Sequence, residues 1–311
     1  MRLIFLGTPA FAVPALERMV AAGHSVLTVV TQPDRPRGRG QNAAPPPVKL
    51  AALRLGLPVY QPERVRRPEP VEHLRAIAVD AMVVVGYGQI IPQSILDMAP
   101  LGIINVHGSL LPKYRGAGPI QWAILNGETR TGVTTMRIDA GLDTGDILLK
   151  AETEIGPDET AIELGGRLAA MGADLLVETL AGLEQGRIVP EKQDNAQATY
   201  APLLKKEDGR IDWTRDARAI HNQVRGLQPW PGASTAFRGQ ALHIWRSRLW
   251  SGSPAGAPGS FARVKPPVVN CGTGALELVE VQMEGRKRIP VADFANGQRL
   301  SENEYLGGAP A

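Results

Sequence analysis

The sequence predicts an α/β fold: a doubly wound, mostly parallel sheet with flanking helices, followed by a smaller β-rich domain. Three observations carry that expectation. Over the amino-terminal two-thirds, short apolar runs alternate with helical stretches, in the β-α-β order that builds a parallel sheet. The remainder changes to short β-branched segments separated by turn signals, as in a small barrel or sandwich. At 311 residues, 43% of them hydrophobic, the chain can bury a substantial core and suggests about two domains of ~100–200 residues.

Arg2 to Leu6 reads as the first buried strand and Gly7-Thr8-Pro9 as the turn out of it. Pro14 to Ala22 has helical character and ends at Gly23, and Ser25 to Thr31 is the second strand. Parallel units of this kind wind right-handed. The turn after the first strand holds one glycine instead of G-x-G-x-x-G, which argues against an NAD enzyme. Gln32 to Pro47 is a long loop carrying Arg35, Arg37 and Arg39 among Gly and Pro. Loops this long are usually functional or disordered. The two readings are a mobile solvated loop and a basic arm that orders on RNA.

Val48 to Leu55 is predicted as a helix, Val59-Tyr60 as a short strand, Pro70 to Ala78 as a helix and Ala81 to Val85 as a buried strand. Gly86-Tyr87-Gly88-Gln89-Ile90-Ile91-Pro92 follows. Its glycines let backbone approach a flat ligand closely; a plain strand-to-helix turn is the alternative.

Leu101 to Gly116, L-G-I-I-N-V-H-G-S-L-L-P-K-Y-R-G, is the stretch around which the chain is organised. Leu101, Ile103, Ile104 and Val106 suit a short buried strand. Asn105 and His107 interrupt the run two residues apart. Side chains at i and i+2 of an extended chain point the same way, so an amide and an imidazole leave the strand end on one face. Gly108 breaks the chain, Ser109-Leu110-Leu111-Pro112 follows as an irregular loop, and Tyr114-Arg115-Gly116 closes it. Asn supplies a neutral donor and His a donor or a proton near neutral pH. Such a pair suits stabilising an oxyanion and moving a proton during acyl transfer. A satisfied core histidine beside a turn asparagine is the bland alternative.

Asp143 lies in Asp139-Ala140-Gly141-Leu142-Asp143-Thr144-Gly145-Asp146, after the β-branched run Gly132 to Ile138. A turn rich in Asp and Gly is usually only a turn. Here its carboxylate can meet the imidazole if both leave the same edge of the sheet, the edge where open parallel sheets bind ligands. Pro119 to Asn126 is predicted as a helix, Ile147 to Ile155 as a strand or hairpin, and Thr160 to Leu183 as a long helix whose glycines 165, 166 and 172 weaken it.

Tyr200 to Asp208 marks the boundary, with Lys205 and Lys206 at the junction facing solvent or RNA. Beyond it come a helix at Ala217 to Gly226, strand segments at 234–237, 241–245 and 275–281, a Gly/Pro/Ser loop at 251–260, and a loose tail after Tyr305.

The net charge of +3 is unevenly distributed. Residues 1–205 hold 20 Lys+Arg against 21 Asp+Glu, and residues 206–311 hold 14 against 10. The basic excess of the second part suits phosphate backbones or is simply a slightly basic domain. Cys271 is the single cysteine, so neither an intramolecular disulfide nor a cysteine-rich zinc site is expected. The apolar part of the start is too short for a signal peptide, and no apolar run reaches the ~18 residues of a membrane span.

N-x-H, then S-L-L-P-x-Y-R-G, then L-D-x-G-D, in this order and spacing, resemble the folate-dependent formyltransferases. The likeness runs from the opening R-L-I-F-L-G-T-P-x-F-A-V-P to the carboxyl-terminal domain and is closest to members that act on charged initiator tRNA. It implies a Rossmann-like catalytic domain over 1–205 and an OB-like β-barrel over 206–311 that binds tRNA. It also implies catalytic roles for Asn105, His107 and Asp143. Gly86, Tyr87, Gly88, Ile90, Ser109, Leu110, Leu111 and Pro112 match the folate pocket, and Arg37, Arg39, Lys205 and Lys206 become candidates for tRNA contact.

The implied donor is 10-formyltetrahydrofolate, without a metal. The implied partner is initiator methionyl-tRNA, and the expected protein is a cytoplasmic monomer without a membrane segment. A formyltransferase acting on a nucleotide-sugar amine, or a formyl-folate hydrolase, could share these motifs. The basic arm and basic carboxyl-terminal part favour tRNA without excluding a sugar. An RNA-binding protein on an inactivated fold is a third reading, against which the intact Asn105, His107 and Asp143 argue.

Overall fold

The computed structural model describes residues 1–37, 42–253 and 256–307, which group into two compact units. The first comprises residues 1–119, 131–153 and 165–201, and the second residues 120–130, 154–164 and 202–307 of the described chain. Residues 120–130 and 154–164 therefore cluster with the carboxyl-terminal part although they lie within the amino-terminal sequence.

The first unit is built on a seven-stranded sheet. Its strands are β1 (Arg2–Gly7), β2 (Ser25–Val30), β5 (Val59–Tyr60), β6 (Ala81–Val85), β7 (Ile103–His107), β9 (Arg130–Arg137) and β10 (Ile147–Glu154), in the order β10-β9-β7-β6-β1-β2-β5. From β7 to β5 every pairing is parallel, whereas β9 pairs antiparallel with β7. Arg35–Arg37 (β3) and Asn42–Ala44 (β4) pair antiparallel, so the predicted open loop contains a short hairpin. Arg39 lies outside the described residues.

The alternation of side chains along the strands divides the core into two layers. Leu3, Phe5, Val83, Val85, Ile104 and Val106 pack with α1 (Val13–Ala21), α2 (Pro47–Arg54) and α6 (Ala161–Glu184). Ile4, Leu6, Met82, Val84 and Ile103 pack with α3 (Pro68–Arg75) and the short α4 (Gln93–Leu96). The fully buried strands read as continuous apolar runs for this reason. Two further short strands, β8 (Arg115–Gly116) and β11 (Tyr200–Ala201), pair parallel with each other. The sequence held no period long enough to announce them.

The second unit contains α5 (Pro119–Leu125, from its second residue), α7 (Ala217–Gly226), α8 (Val291–Gln298) and an antiparallel sheet. Its strands are β12 (Ala233–Phe237), β13 (Gln240–Leu249), β14 (Phe261–Val264), β15 (Pro267–Asn270), β16 (Ala275–Met283) and β17 (Ile289–Pro290). They run in the order β12-β13-β16-β15-β14, with β17 on β16. The core joins Trp213, Ile220, Phe237, Leu242, Leu276 and Phe294. The tail is not loose as far as it is described. Leu306 is buried in this core, Leu306 bridges to Phe237, and the Gly307 N–H donates to the Ala236 carbonyl.

Candidate active site

β7 delivers Asn105 and His107 on one face, as the two-residue spacing requires. Asn105 is half-buried and its amide makes no hydrogen bond among the described residues. His107 is buried, and its Nε2 lies 2.9 Å from the Tyr114 carbonyl oxygen. A carbonyl only accepts, so Nε2 carries a hydrogen and the ring exchanges protons at Nδ1. That atom faces Asp143 Oδ2 at 3.7 Å.

The loop after Gly108 is tied to β9. The Thr134 hydroxyl donates to the Ser109 carbonyl (2.7 Å) and accepts from the Leu111 N–H (3.1 Å), while the Ser109 hydroxyl donates to the Lys113 carbonyl (2.6 Å). These bonds fix where Tyr114 and Gly116 sit. The Gly116 N–H then donates to Asp143 Oδ2 at 2.8 Å. Gly116 has φ +117°, and a Cβ there would lie 2.7 Å from the Ala201 carbonyl oxygen. Only glycine lets β8 approach β11 this closely.

Asp143 reaches His107 by a route other than the expected one. β9 is antiparallel to β7, with His107 opposite Thr134 and Ile104 opposite Arg137. β9 therefore ends beside the start of β7, and the 139–146 turn must come back toward His107. Within it Asp139 accepts from the Thr144 hydroxyl and the Gly141 N–H, and Asp143 adopts φ +51°.

The other sequence candidates divide between loop backbone, core and solvent. Gly86 and Gly88 both have positive φ at the carboxyl end of β6. The Tyr87 carbonyl accepts from the Thr8 hydroxyl and the Gln32 amide. The Tyr87 ring lies in the core, where burial raises its phenol pKa above the usual value; its backbone, not its ring, borders the loop. Ile90 is fully in solvent at 81% exposure. Ser109 and Leu111 are buried, Leu111 against Met136 and Ile147, whereas Leu110 and Pro112 are half-buried. Arg37 lies in β3, and Lys205 and Lys206 are exposed in the second unit, at and just after the cap of the short 206–209 turn.

Sequence reasoning missed four supports. The Tyr114 carbonyl and the Gly116 N–H were inside a quoted motif, but backbone roles leave no residue-type signal. Gln193 and the buried Arg115 gave no signal either, because they meet only in the folded chain. Among the described residues no group of three or more His, Cys, Asp or Glu is placed to hold a metal ion. No helix among them is long and apolar enough to cross a membrane.

Comparison with known proteins also gives two parts, divided along the sequence. Residues 1–180 match the family model described as formyl transferase, and residues 203–299 match that of the formyl transferase carboxyl-terminal domain. The chain is 76% identical over 307 residues to the methionyl-tRNA formyltransferase of Solibacter usitatus, covering 99% of each. It is 56% identical over 311 residues to that of Koribacter versatilis, covering 99% of each. Among solved structures, an N-formyltransferase from Helicobacter canadensis in complex with folinic acid and dTDP-3-aminofucose has a TM-score of 0.67 at 20% identity. That match covers 92% of this chain and 99% of the other. HypX from Aquifex aeolicus has a TM-score of 0.67 at 17% identity, over 97% of this chain and 49% of the other. At such identities these two structures speak to the fold alone.

Proposed function

The chain belongs to the formyl transferase family, and from that premise we infer that it transfers the formyl group of 10-formyltetrahydrofolate to the free amino group of methionine on initiator methionyl-tRNA, for translation initiation. The near-identical length and high identity of relatives named for this activity support the acceptor. The arrangement of Asn105, His107 and Asp143 supports the chemistry.

The folate supplies a formyl carbon activated by its attachment to N10. The methionine amine, when neutral, forms the new C–N bond, the C–N10 bond breaks, the amine loses a proton and N10 gains one. Asn105 presents an amide with no competing partner among the described residues, suited to donating to the oxygen on which negative charge gathers. His107 is the proton carrier, and its exchanging atom is Nδ1 because Nε2 is tied to the Tyr114 carbonyl. Asp143 stabilises the imidazolium from 3.7 Å. Active-site bonds of this kind commonly tighten when substrates bind. Positive-φ Gly86 and Gly88, with the 109–112 loop, form the backbone cradle assigned to the pterin. Arg37, Arg39, Lys205 and Lys206 are assigned to tRNA. Residues 1–205 act as the catalytic domain and 206–311 as an OB-like tRNA-binding domain.

The observation that carries this reading is the His107 ring, held at one nitrogen and facing a carboxylate at the other, beside an amide with no partner among the described residues. The deciding assay supplies purified protein and 10-formyltetrahydrofolate with either charged initiator tRNA or a nucleotide amino sugar. Formyl-methionyl-tRNA is the expected product, with no formylated sugar. Formylation of the sugar alone would replace this reading with the nucleotide-sugar one.

A further inference from the structure

The direction of β9 poses a problem that the 139–146 turn has to solve. The strand carries the chain away from His107, yet the Asp143 carboxylate ends up opposite Nδ1. Asp143 does so in a left-handed backbone conformation (φ +51°), which Asp adopts more readily than most side-chain-bearing residues but which is still less favourable than the right-handed region. Some contact must hold the turn in that arrangement. The Gly116 N–H holds the carboxylate itself. The backbone of the turn is held by Gln193, fifty residues further along the chain.

The Gln193 amide donates through Nε2 to the carbonyl oxygens of Asp143 and Gly145, both at 2.8 Å. Its Oε1 accepts from Arg115 Nε at 3.0 Å and Arg115 Nη2 at 2.7 Å. Carbonyls only accept and a guanidinium only donates, so the amide has one possible orientation and all four of its hydrogen-bonding positions are filled. Arg115 is itself buried, at 2% exposure, and Nη2 is further bonded to Asn195 Oδ1 at 2.9 Å. The chain of contacts is continuous: a fixed cation holds an amide, the amide holds the turn, and the turn presents the carboxylate. Arg115 also sits between Tyr114, whose carbonyl receives His107 Nε2, and Gly116, whose N–H holds Asp143. One tripeptide thus positions both members of the pair.

We propose that Gln193, anchored by Arg115, is a positioning residue for formyl transfer, setting the 143–145 turn so that the Asp143 carboxylate faces His107 Nδ1. This rests on the roles assigned above to His107 and Asp143. Gln193 acts through Asp143 and not on the substrates.

Gln193→Glu separates positioning from folding. The new carboxylate keeps acceptors for Arg115 and gains an ion pair with it, but it loses both donors and faces two carbonyl oxygens. Formylation kinetics with 10-formyltetrahydrofolate and charged initiator tRNA are measured for the wild type, Gln193→Glu and Asp143→Asn, together with the Tm of each. The expected result for Gln193→Glu is a kcat lower by roughly 10–100-fold, KM for both substrates within about twofold, and Tm not reduced. An unchanged kcat in Gln193→Glu, beside an impaired Asp143→Asn, overturns the proposal and leaves the site reading standing. A wild-type kcat in Asp143→Asn overturns the site reading and the proposal with it. If the glutamate variant fails to fold, Gln193→Met reads the same quantity: loss of kcat at unchanged KM supports the proposal, and a wild-type kcat overturns it.

Discussion

His107 has two ring nitrogens in different surroundings, and its chemistry follows from the difference. One is committed to a backbone carbonyl; the other faces a carboxylate across 3.7 Å. Asn105, two residues earlier on the same strand face, has an amide without a protein partner among the described residues. Losing one donor to a developing oxyanion typically costs about 10²–10³ in turnover. Asn105→Ala and His107→Ala should each lower kcat by at least that range while tRNA binding, measured by filter retention or fluorescence titration, stays close to wild type. Near-normal turnover in both would remove these residues from the chemistry. The period-two placement of Asn105 and His107 was legible in the sequence, since an imidazole and an amide in an apolar strand stand out. The backbone groups that orient them were not, because every residue has an N–H and a C=O.

At the scale of the element, α6 shows why local propensity was an incomplete guide. Its glycines suggested a weakened helix, yet Ala161–Glu184 is continuous. Gly172 explains one of them. A Cβ built there would lie 2.7 Å from Val106 Cγ1, so the helix packs directly on the strand residue between Asn105 and His107. Gly172→Leu should destabilise the protein by about 1–3 kcal/mol through overpacking. It should also lower kcat, since the displaced strand carries both side chains. A Cβ added at Gly166 would meet nothing within 4 Å, and Gly166→Ala should raise stability by about 0.5–1 kcal/mol with kcat unchanged. Thermal unfolding and formylation rates of the two variants test the contrast. Loss of activity in Gly166→Ala, or none in Gly172→Leu, would contradict the packing argument.

At the scale of the whole molecule, the carboxyl-terminal part carries a basic excess and a buried histidine whose titration couples to folding. His221 is buried there, with Nδ1 3.0 Å from the Ser247 hydroxyl and Nε2 near both the Pro157 carbonyl (3.1 Å) and Asp158 Oδ1 (3.2 Å). Burial lowers its pKa below the ordinary 6.5, outweighing the hydrogen bond to Pro157 that raises it. The unfolded chain then binds this proton more readily than the folded one. The contribution to stability is complete above pH 6.5 and is lost as the pH falls from there toward the lower folded value. Unfolding midpoints should drop between about pH 7 and pH 5, and His221→Gln should flatten that drop. Equal slopes in the two proteins would count against it. The basic balance of 206–311, 14 Lys+Arg against 10 Asp+Glu, together with the basic segment that carries Arg37, gives a separate prediction. The apparent affinity for tRNA should fall steeply with salt while that for the folate changes little, and Arg37→Ala should reduce the slope by about one phosphate contact.

Side-chain chemistry and short-range spacing, which a linear chain carries openly, were enough to specify the buried strands, the helices long enough to show their period, and the residue types of the candidate site. Tertiary structure alone settled that β9 runs against β7, that residues 120–130 and 154–164 cluster with the carboxyl-terminal unit, and that Gln193, held by Arg115, reaches the Asp143 turn. Strand direction and contacts across fifty or more residues depend on how loops close in three dimensions, and no local pattern of residues encodes that.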